Sequence, residues 1–149
     1  MEQVTGSIRG HQPFGLEIPS GIYEDMLSHA EGDSKNEVCG ILAGQGSRVE
    51  RIFRGKNSDR SSVSYELDPR QQLEIEKELA KSGMRMLAIY HSHPMGQAYP
   101  SPKDIQLAVW DVVYIIIGLP GDKNPQVRAF RICGEKTNPV EEVLLKTTY

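Results

Sequence analysis

The sequence predicts an α/β fold in which helices flank a mixed β-sheet. Apolar, β-branched runs with strand character alternate along the chain with segments of helical periodicity. Glycine and proline residues mark most of the boundaries between these segments. A length of 149 residues is typical of one domain. We therefore expect a single domain over residues 15–149 and a flexible N-terminus over the polar, glycine-containing residues 1–14.

The composition is that of an ordinary globular protein and disfavours several classes of function. Hydrophobic residues make up 38% of the chain and charged residues 25%. A net charge of -3 is not the basic footprint of a nucleic-acid binder, and the longest apolar run, residues 112–119, is too short to cross a membrane. Without an apolar N-terminal signal segment, Cys39 and Cys133 are predicted to be reduced core thiols of a cytoplasmic protein.

In the first half of the chain, helical spacing of apolar residues predicts a helix over residues 20–30, with Ser20 as its N-cap. Its His29 is interpreted as structural, near a helix C-terminus that favours a cation. A buried strand over residues 38–44 and a return strand over 48–55 follow. A polar loop then leads to a short strand at 63–67 and to a helix that begins after Asp68 and ends at Gly83.

In the second half, the apolar run 84–90 predicts a buried strand, and Ser101 and Pro102 begin a short helix to about residue 109. A β-branched strand over residues 112–119 comes next. Residues 127–133 and 140–145 alternate in the manner of strands and are predicted to be the outer strands of the sheet.

The chemistry-bearing stretch lies between the strand at 84–90 and the short helix. His91 and His93 share one face of the extended chain, because side chains two residues apart on a strand point the same way. The turn formed by the prolines and Gly96 is expected to return Asp104 toward the two rings. Two histidines and an aspartate form a three-ligand set that suits zinc and leaves one position free, as in catalytic zinc sites.

Each part of this pattern has a structural alternative. Ser101 and Asp104 also match a helix start in which the serine is the N-cap and the aspartate is an acid of the first turn. The two interpretations are compatible, since a capped helix would aim the carboxylate. Glu37, at the start of the strand 38–44, is either a solvated strand end or a functional acid. With a metal site present, Glu37 is the best candidate for the carboxylate that is not a ligand.

The pattern His-x-His, seven residues, Ser-x-x-Asp, together with the upstream Glu37, resembles the JAMM (MPN-plus, Mov34-type) metallo-isopeptidases. The resemblance extends from about Gly15 over most of the chain, and no motif position departs from it. It implies a JAB/MPN domain with the deaminase-like architecture, and one zinc ion held by His91, His93 and Asp104 with a water as fourth ligand. It also implies that Glu37 is the general base and acid, and that Ser101 stabilises the oxyanion.

The compact chain is similar to the stand-alone prokaryotic members of that family. Their substrates are ubiquitin-like proteins or sulfur-carrier proteins of the ThiS/MoaD kind, with flexible glycine-rich tails, and cleavage is of peptide or isopeptide bonds. We expect such a tail to lie along the segment 57–66. A nucleobase deaminase would need His-x-Glu and Pro-Cys-x-x-Cys, which are absent. A non-catalytic scaffold or binding module is the remaining alternative.

Overall fold

The structure, a computed structural model, describes residues 2–5, 12–121, 124–133 and 139–149, and it confirms the mixed α/β class. Its strands are, in chain order, β1 (Glu2–Thr5), β2 (Phe14–Pro19), β3 (Cys39–Gln45), β4 (Arg48–Arg54), β5 (Arg85–Pro94), β6 (Val113–Leu119), β7 (Gln126–Ile132) and β8 (Val140–Thr148). Its helices are α1 (Ser20–Glu31), α2 (Pro69–Ser82) and α3 (Pro102–Leu107).

All the strands belong to one sheet, ordered β1-β8-β2-β4-β3-β5-β6-β7. An additional antiparallel pairing of β7 with β8 curls this sheet back on itself. β5 lies between β3, which runs antiparallel to it, and β6, which runs parallel. The strand that carries the two histidines is therefore hydrogen-bonded on both sides, which holds its backbone rigidly.

Helices α1 and α2 cover opposite faces of β3, as its alternating side chains require. Leu42 packs in the larger cluster that contains Met26 and Ala30 of α1. Ile41 and Ala43 face the other way and pack against α2 through its buried Ile75 and Leu79. No helix among the residues described is long and apolar enough to cross a membrane.

Several predicted boundaries are corrected at the N-terminal side. Helix α1 includes Ser20, but Pro19 is the residue at its N-cap and no side chain caps it. Phe14–Pro19 form a strand that the sequence did not predict, because its partner β8 lies some 130 residues further along the chain. Within the predicted flexible segment 1–14, Glu2–Thr5 pair with β8; residues 1 and 6–11 lie outside the described residues, so flexibility there stays a prediction.

Three other expectations are also wrong. The segment 63–67 forms only an isolated bridge between Asn57 and Leu67, not a strand. Neither β7 nor β8 is an outer strand, since β7 pairs with β6 and β8, and β8 also pairs with β1 and β2. Cys133 is exposed, because it follows the last residue of β7, whereas Cys39 is buried as expected.

The predicted helix after Asp68 is confirmed in detail. The Asp68 side chain accepts hydrogen bonds from the backbone N–H groups of Arg70 and Gln71, and Gly83 ends the helix with a left-handed φ of 70°. The strand predicted to end at Tyr90 continues instead to Pro94, because β6 pairs with it over residues 88–94. His91 and His93 therefore lie within the strand rather than beyond it.

Candidate metal centre and active site

The imidazoles of His91 and His93 and the carboxylate of Asp104 converge on one point. The Nε2 atoms of the two histidines are 3.1 Å apart. The Oδ2 atom of Asp104 is 3.2 Å from Nε2 of His91 and 3.0 Å from Nε2 of His93. The exposed fractions of these side chains are 1% for His91, 14% for His93 and 8% for Asp104, so the cluster is shielded from solvent but reachable past His93.

Asp104 reaches the histidines because α3 begins with a capping box. The Ser101 hydroxyl oxygen accepts a hydrogen bond from the Asp104 backbone N–H, and the Ser101 N–H donates to Oδ2 of Asp104. The carboxylate that caps the helix is thus the one that faces the two rings. The predicted helix start at Ser101 is therefore confirmed, whereas a role of Asp104 as a metal ligand stays a prediction.

The orientation of His93 is fixed by its second ring nitrogen. Nδ1 lies 2.7 Å from the main-chain carbonyl oxygen of Gln97. A carbonyl only accepts, so Nδ1 carries a proton, and Nε2 faces the cluster, where it can offer a lone pair to a metal once its own proton is lost. This is the arrangement in which histidines bind metals, with the other nitrogen held by a carbonyl or carboxylate.

Glu37 borders the same point but has no hydrogen-bond partner for one of its oxygens. A carboxylate oxygen of Glu37 and one ring nitrogen from each histidine lie within 4.8 Å of one another. The residue is 4% exposed, and Oε1 is buried without a partner among the described residues. Burial raises the pKa of the Glu37 carboxyl to about 7, against the opposing influence of His93. A carboxyl with that pKa is suited to exchange protons near neutral pH.

The segment that carries Glu37 is held by its neighbours through main-chain contacts. The Glu37 N–H donates to the Ser61 carbonyl, and its own carbonyl accepts from the Asn57 side chain. One residue later, the Val38 N–H donates to Oγ of Ser92, which lies between the two histidines on β5. The motif assigns no role to Ser92. Its hydroxyl joins strand β5 to the segment that carries the Glu37 carboxylate.

The surroundings of His91, His93 and Asp104 shift the pKa of each side chain differently. Burial lowers the pKa of His91 against the influence of Asp104, so this ring favours the neutral form. Burial acts likewise on His93, but hydrogen bonds to Asp104 and to the Gln97 carbonyl prevail and raise its pKa. Burial would also raise the pKa of Asp104, but hydrogen bonds with both histidines hold it well below its usual range. Asp104 is therefore ionised, and its negative charge favours the binding of a cation.

These residues fit a zinc ion. With ligands at about 2.0–2.2 Å in a tetrahedral arrangement, neighbouring ligand atoms lie roughly 3.3 Å or slightly more apart. The observed separations of 3.0–3.2 Å among the two Nε2 atoms and Oδ2 are close to that spacing. Two neutral imidazoles and one carboxylate favour zinc over magnesium or calcium, which prefer oxygen ligands. The unpartnered Oε1 of Glu37 is consistent with a further polar group beside the ion.

A cavity of about 360 Å³ adjoins Asp104. The segment 59–67 forms one wall and the region of Leu107 and Trp110 forms another, with apolar side chains of β3 and β5 below. Tyr65 from the first wall stacks on His91 with ring centroids 4.4 Å apart. The cavity thus reaches Asp104, one of the three converging groups, and Tyr65 on its wall contacts a second, His91.

Asn57 organises the wall that contains Tyr65. Its Nδ2 donates to the carbonyls of Glu37 and Ser64, and its Oδ1 accepts from the N–H groups of Asp59 and Glu66. These four bonds use the full capacity of the amide. From the sequence, residue 57 was expected only to belong to a polar loop and to the segment along which a substrate tail lies. The one available signal was its Asn-Ser-Asp turn composition, which does not reveal such a role.

His29 does not belong to the cluster, as the sequence analysis expected. Its Nδ1 lies 2.6 Å from the hydroxyl of the buried Tyr90. The same histidine lines a small polar cavity of about 150 Å³ on whose wall Glu37 also lies. Its contact with Tyr90 is structural.

A buried His-His-Asp cluster with a separate, unpaired carboxylate beside it is the arrangement of a mononuclear metallohydrolase. Comparisons with known proteins agree with this class. A model of the family described as prokaryotic homologues of the JAB domain matches residues 19–133. The chain therefore belongs to that family and is a JAMM-type peptidase.

Individual relatives support the assignment. The chain is 39% identical over 122 residues to the "Probable TtuB-protein conjugate cleaving protease" of Thermus thermophilus, a match covering 81% of this chain and 78% of the relative. It is 34% identical over 135 residues to the CysO-cysteine peptidase of Mycobacterium tuberculosis, covering 85% and 92%. The solution structure of protein DSY2949 from Desulfitobacterium hafniense matches with a TM-score of 0.78 and 35% identity, over 89% of this chain and 92% of that one.

Proposed function

We propose that this protein is a zinc-dependent peptidase that cleaves peptide or isopeptide bonds after the C-terminal tail of a ubiquitin-like or sulfur-carrier protein. The observation that supports this most strongly is the convergence of His91, His93 and Asp104 within 3.2 Å beside the unpaired carboxylate of Glu37. Family membership fixes the general chemistry, and the geometry supplies a candidate for each role.

In this proposal His91, His93 and Asp104 hold the zinc ion. Zinc bound there would supply a Lewis acid and lower the pKa of a coordinated water toward about 7. The role of Asp104 is supported by its contacts with both Nε2 atoms, and that of His93 by the Gln97 carbonyl on its other nitrogen.

Glu37 is the proton carrier of the reaction. Its carboxylate takes the proton of the attacking water as the carbon–oxygen bond forms, and then delivers it to the nitrogen that leaves as the carbon–nitrogen bond breaks. Burial raises the pKa of the Glu37 carboxyl to about 7 in the metal-free protein, which supports a role in proton exchange. The hydroxyl of Ser101 uses its oxygen to accept from the Asp104 N–H, so its proton is available to the negative oxygen that develops on the scissile carbonyl.

The substrate is proposed to enter along the cavity that adjoins Asp104. A narrow glycine-rich tail fits a groove of about 360 Å³ better than a folded surface does. The segment 59–67, whose conformation Asn57 holds, forms one wall of that cavity, and main-chain bonds to this segment would hold an extended tail. Two relatives are named as a TtuB-protein conjugate cleaving protease and a CysO-cysteine peptidase, and these names support a carrier-protein substrate here.

We also propose a cytoplasmic location. Cys39 and Cys133 are both free, and no disulfide links them. Cell fractionation that finds the protein outside the cytoplasm would contradict this.

The proposal is tested with a small ubiquitin-like carrier protein whose Gly-Gly terminus is fused to a fluorescent protein. The zinc-loaded enzyme should release the reporter after the second glycine, a chelator should stop cleavage, and added zinc should restore it. Glu37→Gln should lower turnover by about 10²–10⁴-fold with zinc still bound. Glu76→Gln, an exposed change on α2, is the matched control and should leave turnover intact.

Two results would contradict the proposal. Loss of zinc from the Glu37→Gln variant would make Glu37 a ligand rather than the proton carrier. Absence of zinc from the wild type, with no uptake on titration, would instead favour a non-catalytic binding module.

A further inference from the structure

Gly118, on β6, lies directly against the loop that follows His93. In the pairing of β5 with β6, Gly118 is the register partner of His93. A Cβ atom placed on Gly118 would be 2.5 Å from the Ala98 nitrogen, 2.8 Å from the Gln97 carbonyl carbon and 2.9 Å from the Gly96 oxygen. All three are main-chain atoms, which have no side-chain freedom with which to move aside.

The lack of room for a side chain, and not the backbone conformation, explains why position 118 is a glycine. Its φ lies outside the left-handed region that favours glycine, unlike that of Gly83. Any other residue at position 118 would adopt the strand conformation but would push the loop 96–98 outward. Ala98, the last residue of this loop, is fully buried in a cluster with Ile116 and Phe130, and this packing holds the loop in place.

This loop carries the carbonyl that orients His93. The Gln97 oxygen accepts from Nδ1 of His93 at 2.7 Å, and it also accepts from the Tyr99 N–H at 3.0 Å. The Gly96 N–H donates a hydrogen bond to the His93 carbonyl oxygen at 3.1 Å. A loop displaced by a few tenths of an ångström or more would lengthen the bond to Nδ1 and free the ring to turn.

We propose that Gly118 is a positioning residue of the metal centre. Its missing side chain lets the Gln97 carbonyl approach His93 and so aims Nε2 at the point shared with His91 and Asp104. This inference rests on the proposed zinc site. It assigns a role in metal binding to a residue outside the sequence motif that acts through the loop rather than by touching the ion.

The test compares zinc affinity in two glycine variants of the full chain. Zinc dissociation constants are measured by competition with a chromophoric chelator for the wild type, Gly118→Ala and Gly44→Ala, and thermal unfolding of each metal-free protein is recorded. A Cβ on Gly44 would overlap the Arg48 carbonyl oxygen, so that variant is also strained. Gly44 pairs with Arg85, whereas His91 pairs with Cys39 at the other end of β3, so Gly44 is remote from the metal centre.

We expect Gly118→Ala to bind zinc about 10–100-fold more weakly, the usual effect of losing the partner of a ligand's second nitrogen. Gly44→Ala should be destabilised but should keep the wild-type zinc affinity. Cobalt substituted for zinc should show a changed visible spectrum in Gly118→Ala only. Equal zinc affinity in Gly118→Ala and wild type would overturn the inference, and so would an equal loss of affinity in both variants.

If Gly118→Ala does not fold, a measurement on the wild type tests whether the Gln97 carbonyl orients His93. In the zinc-loaded protein, nitrogen NMR should show His93 with a slowly exchanging proton on Nδ1 and none on Nε2. A metal-bound or proton-free Nδ1 would overturn the inference. If the wild type binds no zinc at all, the proposed function fails, which is distinguishable from failure of the role of Gly118.

Discussion

Replacement of Ser92 by alanine tests how strand β5 and the segment that carries Glu37 are held together. Ser92 is fully buried, and its Oγ accepts from the Val38 N–H at 2.9 Å. The Ser92 N–H also donates to the Val38 carbonyl at 3.0 Å. Alanine removes only the first bond, and it leaves a buried backbone N–H without an acceptor one residue after Glu37.

The expected loss of stability follows from the one backbone N–H, that of Val38, which is left without an acceptor. An unpaired buried polar group costs about 1–3 kcal/mol in the free energy of unfolding. For a chain of this length, 1 kcal/mol corresponds to roughly 2–4 °C in Tm. We therefore expect Ser92→Ala to lower Tm by roughly 2–12 °C. Turnover should fall in addition, because Glu37 loses one of the contacts that set its distance from the histidines.

The assay is thermal unfolding of the metal-free protein, together with zinc content and kcat of the loaded enzyme. Ser82→Ala is the control, since Ser82 is exposed and bonds only to carbonyls of its own helix, Glu78 and Leu79. Its Tm should change by less than about 2 °C. If Ser92→Ala matches Ser82→Ala in Tm and retains full kcat, the linking role of Ser92 is refuted. Loss of zinc from Ser92→Ala would show that the change disturbs the ligands instead.

Ser101→Ala should reduce kcat by about 10²–10³-fold through loss of the oxyanion donor. Ser101→Thr keeps both the cap and the hydroxyl and should recover most of the activity. Equal kcat in the alanine variant and the wild type would contradict the role of Ser101 as oxyanion donor. Burial and the positive charge of Arg54 lower the pKa of His29, against the weaker effect of the acids Asp25 and Asp33, so its neutral form stabilises the fold above about pH 6.5. That contribution should be lost as the pH falls through the lower folded-state value. Tm measured from pH 7.5 to 5 should therefore decrease more steeply in the wild type than in His29→Gln. Parallel curves of Tm against pH for the two proteins would refute this contribution of His29.

The sequence predicted best the features that depend on neighbouring residues. The His-x-His spacing and the capping sequence around Ser101 lie within 14 residues, and the structure brings their side chains together at 3.0–3.2 Å. Helix α2 has its cap and its terminating glycine within its own segment. Periodicity and capping are local rules, so these elements are accessible from sequence alone.

The features that depend on distant partners were missed. β2 exists because it pairs with β8, and β8 is internal because three strands meet it. The fourfold bonding of Asn57 and the space above Gly118 depend on loops that fold back from elsewhere. No pattern of hydrophobicity encodes a contact of this kind, because tertiary packing decides it.

Zinc content measured on protein purified without chelators or metal-affinity columns tests the proposed centre most directly. His93→Ala and Asp104→Ala are measured beside the wild type, with unfolding curves to confirm that each variant is folded. We predict about one zinc ion per wild-type chain and loss of the ion in both variants, since each removes one of three ligands. A wild-type chain that neither contains nor takes up zinc, or variants that retain it, would contradict the proposed centre.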